Sequence, residues 1–355
     1  MRIALLGAGH IGSTIAAWLC RTSDYSVRLA DREPRTLQAF AAHGVKTAVL
    51  DFRDTGAVLA FVRGADAIVN ALPFDMAIPM AGVAREAGLH YFDLTEDVAA
   101  CEAIRAMADG AHSAFMPQCG LAPGFISIAA HSLTARFDTL DELKLRVGAL
   151  PQCPTNALKY NLTWSVDGLV NEYLHPCRAI RDGVLREVQA LEDLEHFSID
   201  GVEYEAFNTS GGLGTLCESL VGRVRTLDYK TIRYPGHCTL MRFLVGELRL
   251  GGRPELLKEL LCDAIPTTLQ DVVVICVAVS GIRSGRRVHE VLTRRLLADG
   301  EGSAIQRATA AGVCAALDLF REGRLPTRGF VAQHAMALDD FLANRFGQLY
   351  ESKAS

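Results

Sequence analysis

Over the first 120 residues the apolar positions switch back and forth between two periods. Apolar runs at Ile3–Leu6 and Val27–Ala30 bracket a stretch in which Ile11, Ile15, Trp18 and Leu19 recur at helical spacing, predicting strand, helix, strand. The rhythm continues with a helix over 34–43, a strand over 46–50, a helix over 55–63, a strand over 67–71 and a helix over 78–87. A strand at His90 follows, its end crowded with ionisable groups through Asp97, then a helix over 102–110 and a strand over 113–117. Short connectors join these pieces, the pattern of an α/β, doubly wound parallel sheet. A helix over 125–136 leads away from it.

From about residue 140 the strands alternate in polarity instead. Candidates lie at 142–149, 178–181, 196–199, 202–207, 229–234 and 271–280, with helical insertions near 161–174 and 239–262. This predicts an α+β second domain on a mainly antiparallel sheet. Residues 303–322 read as a helix rich in small side chains, among them Ala304, Ala308, Ala311, Gly312 and Ala315, able to pack tightly against the first domain. The expected domains are 1–120, 121–302 and a C-terminal segment, 303–355. A chain of 355 residues is too long for one core, which agrees with this division.

Composition narrows the function classes. The net charge of −5 carries no basic block, so neither nucleic acid nor a membrane surface is an expected partner. The longest apolar run, Val272–Ile282, is too short to span a bilayer and is rich in β-branched residues, so it reads as a buried strand. The 10 cysteines form no C-x-x-C pair, which argues against a zinc ribbon or a disulfide framework. With the first strand already begun at residue 3, no signal peptide is expected. A cytoplasmic location with reduced thiols follows as the expectation, and no ligand spacing calls for a metal.

The first turn carries the clearest chemistry. Gly7-Ala8-Gly9-His10-Ile11-Gly12 joins the first strand to the first helix, and Asp31 ends the second strand 19 residues after Gly12. That is the G-x-G-x-x-G dinucleotide fingerprint in its proper context. Gly7 allows the turn, Gly9 lets backbone approach a pyrophosphate, and Gly12 lets helix and strand pack closely. The phosphates fit the helix N-terminus, where free N–H groups and the macrodipole favour negative charge. Asp31 can accept hydrogen bonds from a ribose diol and would repel a 2′-phosphate, which favours NAD; the neighbouring Arg32 keeps NADP open. Asp51, at the end of the third strand, and Asn70-Ala71-Leu72-Pro73, at the end of the fourth, border the same crevice. Asn70 has a strand-end cap as its alternative reading.

The second domain holds three polar stretches that a bare scaffold does not need. They are Lys159-Tyr160-Asn161-Leu162-Thr163-Trp164-Ser165, the glycine-rich turn Asn208–Thr215, whose amides could meet an anion, and Lys230–His237 around a Pro-Gly turn. With the nucleotide fingerprint, Gly120-Leu121-Ala122-Pro123-Gly124, Glu203-Tyr204-Glu205-Ala206-Phe207, Gly211-Gly212-Leu213 and Arg233-Tyr234-Pro235-Gly236-His237, these stretches resemble the saccharopine dehydrogenase-like family, in its lysine 6-dehydrogenase branch. The resemblance runs in order over most of the chain. It implies an N-terminal Rossmann domain, an α+β domain for substrate and dimer contacts, a C-terminal segment returning to the Rossmann domain, and a homodimer. Condensing members of the family typically carry Asp-Pro-Gly where this chain has Ala122-Pro123-Gly124, so the deaminating branch is favoured.

The implied reaction is NAD(P)-dependent oxidation of the ε-amine of L-lysine or a close analogue. The semialdehyde formed cyclises to piperideine-6-carboxylate, and ammonia is released. Such a reaction needs a general base and a grip on an amino acid. Asp93, Glu96, Tyr160 and His237 are the catalytic candidates; Tyr91, Thr95, Lys159, Thr163 and Arg233 are the substrate-binding ones. Arg233 could clamp the α-carboxylate bidentately, and Glu96 or Asp97 could pair with the α-ammonium. Each has a structural alternative: Asp93 and Glu96 as helix caps, Arg233 in a surface ion pair, His237 as a turn residue. A saccharopine-type or carboxynorspermidine-type imine reductase and a non-catalytic NAD(P) sensor remain the alternative functions.

Overall fold

The structure, a computed structural model, describes residues 1–300 and 302–351. Residue 301 and the last four residues of the expected C-terminal segment lie outside the described residues. The chain divides into two compact units, Met1–Phe125 with Gln306–Leu349, and Ile126–Ile305 with Tyr350. The division therefore falls at Phe125/Ile126 and Ile305/Gln306, each a few residues beyond the positions read from the pattern.

In the first unit, strands β1 (Arg2–Leu6), β2 (Ser26–Asp31), β3 (Lys46–Val49), β4 (Ala67–Asn70), β5 (His90–Asp93) and β6 (Ala114–Met116) alternate with helices. The helices are α1 (His10–Cys20), α2 (Pro34–Ala42), α3 (Thr55–Val62), α4 (Ala77–Ala87) and α5 (Val98–Ala108). Every strand pairing is parallel, in the order 6-5-4-1-2-3, the doubly wound arrangement. Helix α5 starts four residues before the position expected, because Asp97 rather than Asp93 or Glu96 caps it: Asp97 Oδ1 accepts from the Ala100 N–H at 2.7 Å. In that arrangement Glu96 is left on the loop at the carboxyl end of β5.

The second unit opens with α6 (Phe125–Thr134, whose first residue still belongs to the first unit) and β7 (Thr139–Pro151). It continues through α7 (Val166–Leu174), β8 (Cys177–Arg181), β9 (Val184–Val188), β10 (Glu195–Ile199), β11 (Val202–Asn208), α8 (Leu216–Leu220) and β12 (Val224–Arg233). Then come α9 (His237–Arg242), α10 (Pro254–Ala264), β13 (Asp271–Arg283) and β14 (Arg286–Leu297). The central order is β10-β11-β12-β7-β13-β14, antiparallel throughout except for the parallel β12–β7 pair. The apolar run Val272–Ile282 is indeed the buried strand β13.

Strands β9 and β14 are absent from the pattern reading because most of their side chains are solvated. Their hairpins are nevertheless written in the chain. Asp182-Gly183 joins β8 to β9 and Ser284-Gly285 joins β13 to β14, with positive φ at both residues of each turn.

Helix α11 (Ala304–Arg321) starts under the Asp271 carboxylate, whose oxygens accept from the Ala304 and Ile305 N–H groups. From Gln306 onward it belongs to the first unit. There a side chain at Gly312 would overlap the Cys119 and Gly120 carbonyls, so its small-residue face is what admits it to that backbone. The C-terminal segment then adds β15 (Gly329–Phe330) as a seventh parallel strand beside β6, followed by α12 (Leu338–Ala343). The buried Asp318 carboxylate ties this segment down, accepting from Tyr25 Oη–H at 2.8 Å, Asn344 Nδ2 at 2.9 Å and Arg345 Nη2 at 2.7 Å.

The glycine-rich turn after β11 serves packing. A Cβ on Gly212 would lie well inside contact distance of three ring carbons of the buried Tyr229. Gly212→Ala is expected to lower stability by about 1–3 kcal/mol through overpacking, read as a fall in the urea midpoint with an unchanged slope. An unchanged midpoint would show that the turn yields freely.

Candidate active site

In the first unit the glycine loop forms from β1 and α1. Gly7 takes φ 98° and donates its N–H to the Ala30 carbonyl at 2.8 Å. A side chain there would press on the Ala71 carbonyl at 2.8 Å, and one on Gly12 would overlap the Gly7 carbonyl. Gly9, by contrast, faces open space and caps α1 without any side-chain bond. No acid lies in that first turn. The exposed His10 and half-buried Ile11 thus start a helix whose first N–H groups are available to a phosphate. The chain fits a dinucleotide here on its own geometry.

Asp31 holds the glycine loop through its own carboxylate. Its Oδ2 accepts from the Ala8 N–H at 2.6 Å and its Oδ1 from the Glu33 N–H at 2.8 Å, so the carboxylate braces the glycine loop while keeping lone pairs for a diol. Arg32 and Asp51 are exposed, Asp51 Oδ1 accepting from the Arg53 N–H. Pro73 is exposed and Leu72 half-buried; Ala71 donates its N–H to the Leu6 carbonyl.

Asn70, Tyr91 and Asp93 form one buried network at the carboxyl ends of β4 and β5. Asn70 Nδ2 donates to Tyr91 Oη at 3.1 Å, and Asn70 Oδ1 accepts from the Leu72 N–H. Tyr91 Oη lies 2.9 Å from Asp93 Oδ2, while Asp93 Oδ1 accepts from the Thr95 and Gln118 N–H groups at 3.0 and 2.9 Å. Asp93 therefore welds together the loops after β5 and β6. Burial pushes its carboxyl up to about 6 against those donors. Both oxygens are committed, which leaves Asp93 poorly placed as a base and Tyr91 and Thr95 as parts of the same brace. Gln118, not anticipated from the chain, holds φ 64° in this network and meets Gln333 of the C-terminal segment.

Glu96 differs. Although it keeps partial solvent access, burial pushes its carboxyl up to about 7, with the Asp97 and Asp93 charges adding to the effect. A carboxyl that titrates near neutrality at the carboxyl end of a parallel strand has the properties of a general acid–base group.

In the second unit, strand alternation sorts the polar stretch at 230–233. Lys230 faces a buried ionic network with Glu195, Asp228 and Arg146, in which Arg146 Nη1 and Asp228 Oδ1 lie 2.6 Å apart and Arg146 also pairs with Glu195. Arg233 faces the opposite side, opposite Glu205 on β11. It is only 2% exposed. Its Nε–H donates to Tyr173 Oη at 3.0 Å and Nη1 to its neighbour's carbonyl, Ile232 O, while its Cζ lies 4.9 Å from the centre of the Tyr160 ring. Among the described residues no carboxylate stands within ion-pair distance of it; the buried Glu172 of α7 acts on it only as a charge from farther off. The surface ion pair considered for Arg233 is therefore not found.

Tyr160 is fully buried; its Oη accepts from Trp164 Nε1–H at 3.0 Å, and burial pushes its phenol up, opposed by Arg233. The buried Thr163 hydroxyl makes no hydrogen bond that meets ordinary geometry. Lys159 is exposed, with Nζ on the Pro235 carbonyl at 3.0 Å. His237 is buried with both ring nitrogens engaged: Nδ1 lies 2.9 Å from the Leu158 carbonyl and Nε2 lies 3.0 Å from Tyr173 Oη. Burial and the Arg233 charge pull its imidazole down to about 3. A neutral ring with no free nitrogen is not a base, and the catalytic role expected of His237 gives way to a structural one.

Tyr173 and Glu205 escaped the reading of the chain. Both carried a signal: Tyr173 lies on the apolar stripe of α7 with Leu169 and Val170, and Glu205 occupies an inward position of β11 beside Phe207. A polar group on an apolar face is the informative case.

The chain matches the model of the saccharopine dehydrogenase NADP binding domain over residues 3–115 and that of the saccharopine dehydrogenase C-terminal domain over residues 120–350. It belongs to the saccharopine dehydrogenase-like family. It is 21% identical over 292 residues to the mitochondrial alpha-aminoadipic semialdehyde synthase of Mus musculus, a match that covers 74% of this chain and 31% of that protein. In structure it is similar to the apo saccharopine dehydrogenase (L-Glu forming) of Saccharomyces cerevisiae, with a TM-score of 0.78, 17% identity and 94% of each chain covered. The homospermidine synthase of Legionella pneumophila in complex with NAD gives a TM-score of 0.72 at 11% identity, over 98% of this chain and 89% of that one. These likenesses show a shared fold. The cofactor of this family member is NAD(P), in agreement with the glycine loop. No helix among the described residues is long and apolar enough to cross a membrane.

The Asp31 brace has a measurable consequence. Asp31→Ala is expected to weaken NADH about tenfold or more and to weaken NADPH as well, because the Ala8 N–H loses its acceptor along with the ribose contact. Fluorescence titration of both cofactors checks this; undiminished NADPH affinity would confine Asp31 to the ribose.

Proposed function

We propose that this protein is an NAD(P)-dependent oxidoreductase that deaminates the ε-amine of L-lysine or a close analogue. The amine carbon is oxidised to the aldehyde, water supplies the oxygen, ammonia leaves, and the semialdehyde closes to piperideine-6-carboxylate. The observation that carries this reading is Arg233. A guanidinium buried with no carboxylate in contact is costly, the Glu172 charge offsets that only from a distance, and an amino acid's α-carboxylate would supply the direct partner. The groups in contact with it, Tyr160 and Tyr173, are phenols rather than acids, which suits a carboxylate and not a second ammonium.

The bound nicotinamide supplies the hydride acceptor. The chain's own residues bind, orient and move a proton. Arg233 holds the carboxylate end. Only the free amine can release hydride, so the substrate ammonium must lose a proton, and Glu96, ionised above about pH 7, has the properties of such a base. Ala122, where condensing relatives typically carry Asp, favours deamination over joining two substrates.

The test is NADH formation at 340 nm from L-lysine and NAD alone, with NADP and ornithine in parallel. The expected result is NADH together with released ammonia, with kcat/KM rising through about pH 7 as Glu96 ionises. Glu96→Gln should lower kcat by about a hundredfold and erase that limb. NADH consumption that requires lysine together with a keto acid or aldehyde would assign the protein to the condensing reaction. Silence in both assays, with NADH still bound, would leave a sensor.

A further inference from the structure

Four groups of the second unit form a chain whose hydrogen-bond polarity is forced. The Leu158 carbonyl can only accept, so His237 Nδ1, 2.9 Å away, carries a proton and donates. Arg233 Nε can only donate, so Tyr173 Oη accepts from it at 3.0 Å. The remaining contact, 3.0 Å between Tyr173 Oη and His237 Nε2, is then satisfied in one way: the phenol proton points at Nε2 and the imidazole is neutral. The opposite arrangement would place an imidazolium and a guanidinium on one phenol oxygen and leave the phenol proton without an acceptor. The chain thus runs one way, from Arg233 through Tyr173 to His237 and the backbone.

The far end is anchored as firmly. Glu205 accepts from the Gly236 N–H at 2.7 Å and the Cys238 N–H at 2.6 Å, gripping the backbone on either side of His237. The Phe207 ring stacks on the imidazole with 9° between planes, and Tyr160 and Tyr173 meet its edge. Among the described residues the ionisable groups of this cluster are Tyr173 from α7, Tyr160 from the loop before it, Arg233 from β12, Glu205 from β11, and the buried Glu172 of α7, whose charge acts on Arg233 and both phenols.

We infer that Tyr173 and His237 are positioning residues, a fixed one-way relay that sets the plane of the Arg233 guanidinium and so the direction its free N–H groups face. With Nε on Tyr173 and one Nη1 proton on the Ile232 carbonyl, the remaining Nη protons are what a ligand can use, and a planar fork binds a carboxylate well only when its plane is fixed. The role toward a substrate carboxylate rests on the function proposed above; the direction of the relay does not.

Two readouts separate these claims. In the NADH-bound full-length protein, long-range 1H–15N spectra of labelled histidine should show His237 as the Nδ1–H tautomer, without titration between pH 5.5 and 8. Tyr173→Phe should shift its Nε2 resonance. Titration near the ordinary histidine value of about 6.5 would overturn the relay. In kinetics, Tyr173→Phe should raise the KM for L-lysine about tenfold with kcat changed less than about threefold, and His237→Gln, whose amide oxygen can accept the phenol proton, should fall in between. A loss in kcat accompanied by a shifted pH profile would make the pair a proton-transfer group and overturn the positioning role. Absence of lysine oxidation in the unaltered protein would count against the proposed function alone, and the spectra would still decide the relay.

Discussion

A guanidinium held out of water with no carboxylate in direct ion-pair contact is the constraint around which the second unit is arranged. Everything near Arg233 mitigates that condition without cancelling it. Tyr160 offers a ring face, Tyr173 an oxygen, Ile232 a carbonyl, and His237 is kept uncharged beneath them. The opposite face of the same sheet shows what full compensation looks like: Arg146, Lys230 and Arg181 there meet Asp228 and Glu195 in ion pairs. The contrast within one sheet is what supports the proposed role of Arg233 as the receptor of a ligand's carboxylate.

The first unit handles buried polarity differently. Asp93 spends its carboxylate on joining the loops after β5 and β6, and Asn70 and Tyr91 complete that joint. A rigid strand end then leaves Glu96, just beyond it, free to titrate near neutrality. Asp31 plays a comparable part at the glycine loop, where one carboxylate accepts from the Ala8 N–H of the turn and from the Glu33 N–H. In both places the acid that looks most functional in the chain is the one that builds the site.

Much of this was legible beforehand. Period and punctuation located the doubly wound sheet, the glycine loop and β13, because fully buried parallel strands and a strand-bound G-x-G-x-x-G leave strong traces. Solvated β14 left none in its apolar pattern, only in Ser284-Gly285, and the two-residue β15 is too short to read. Roles were harder than places. Nothing in the spelling of Tyr91, Asp93 or His237 tells that their polar atoms are already engaged by Asn70, Gln118, Tyr173 and Leu158; those partners lie 21 to 79 residues away in the chain. Tyr173 hid for the opposite reason, as one more aromatic on an apolar helix stripe.

The most direct measurement is equilibrium binding to the NADH complex of L-lysine and of cadaverine, the same diamine without the carboxylate, by calorimetry. The account predicts that lysine binds at least about a hundredfold more tightly, a difference of about 2.7 kcal/mol, and that Arg233→Ala brings lysine down to the cadaverine level. Equal affinities for the two diamines in the unaltered protein would contradict it, because the buried guanidinium would then not be the receptor of a substrate carboxylate.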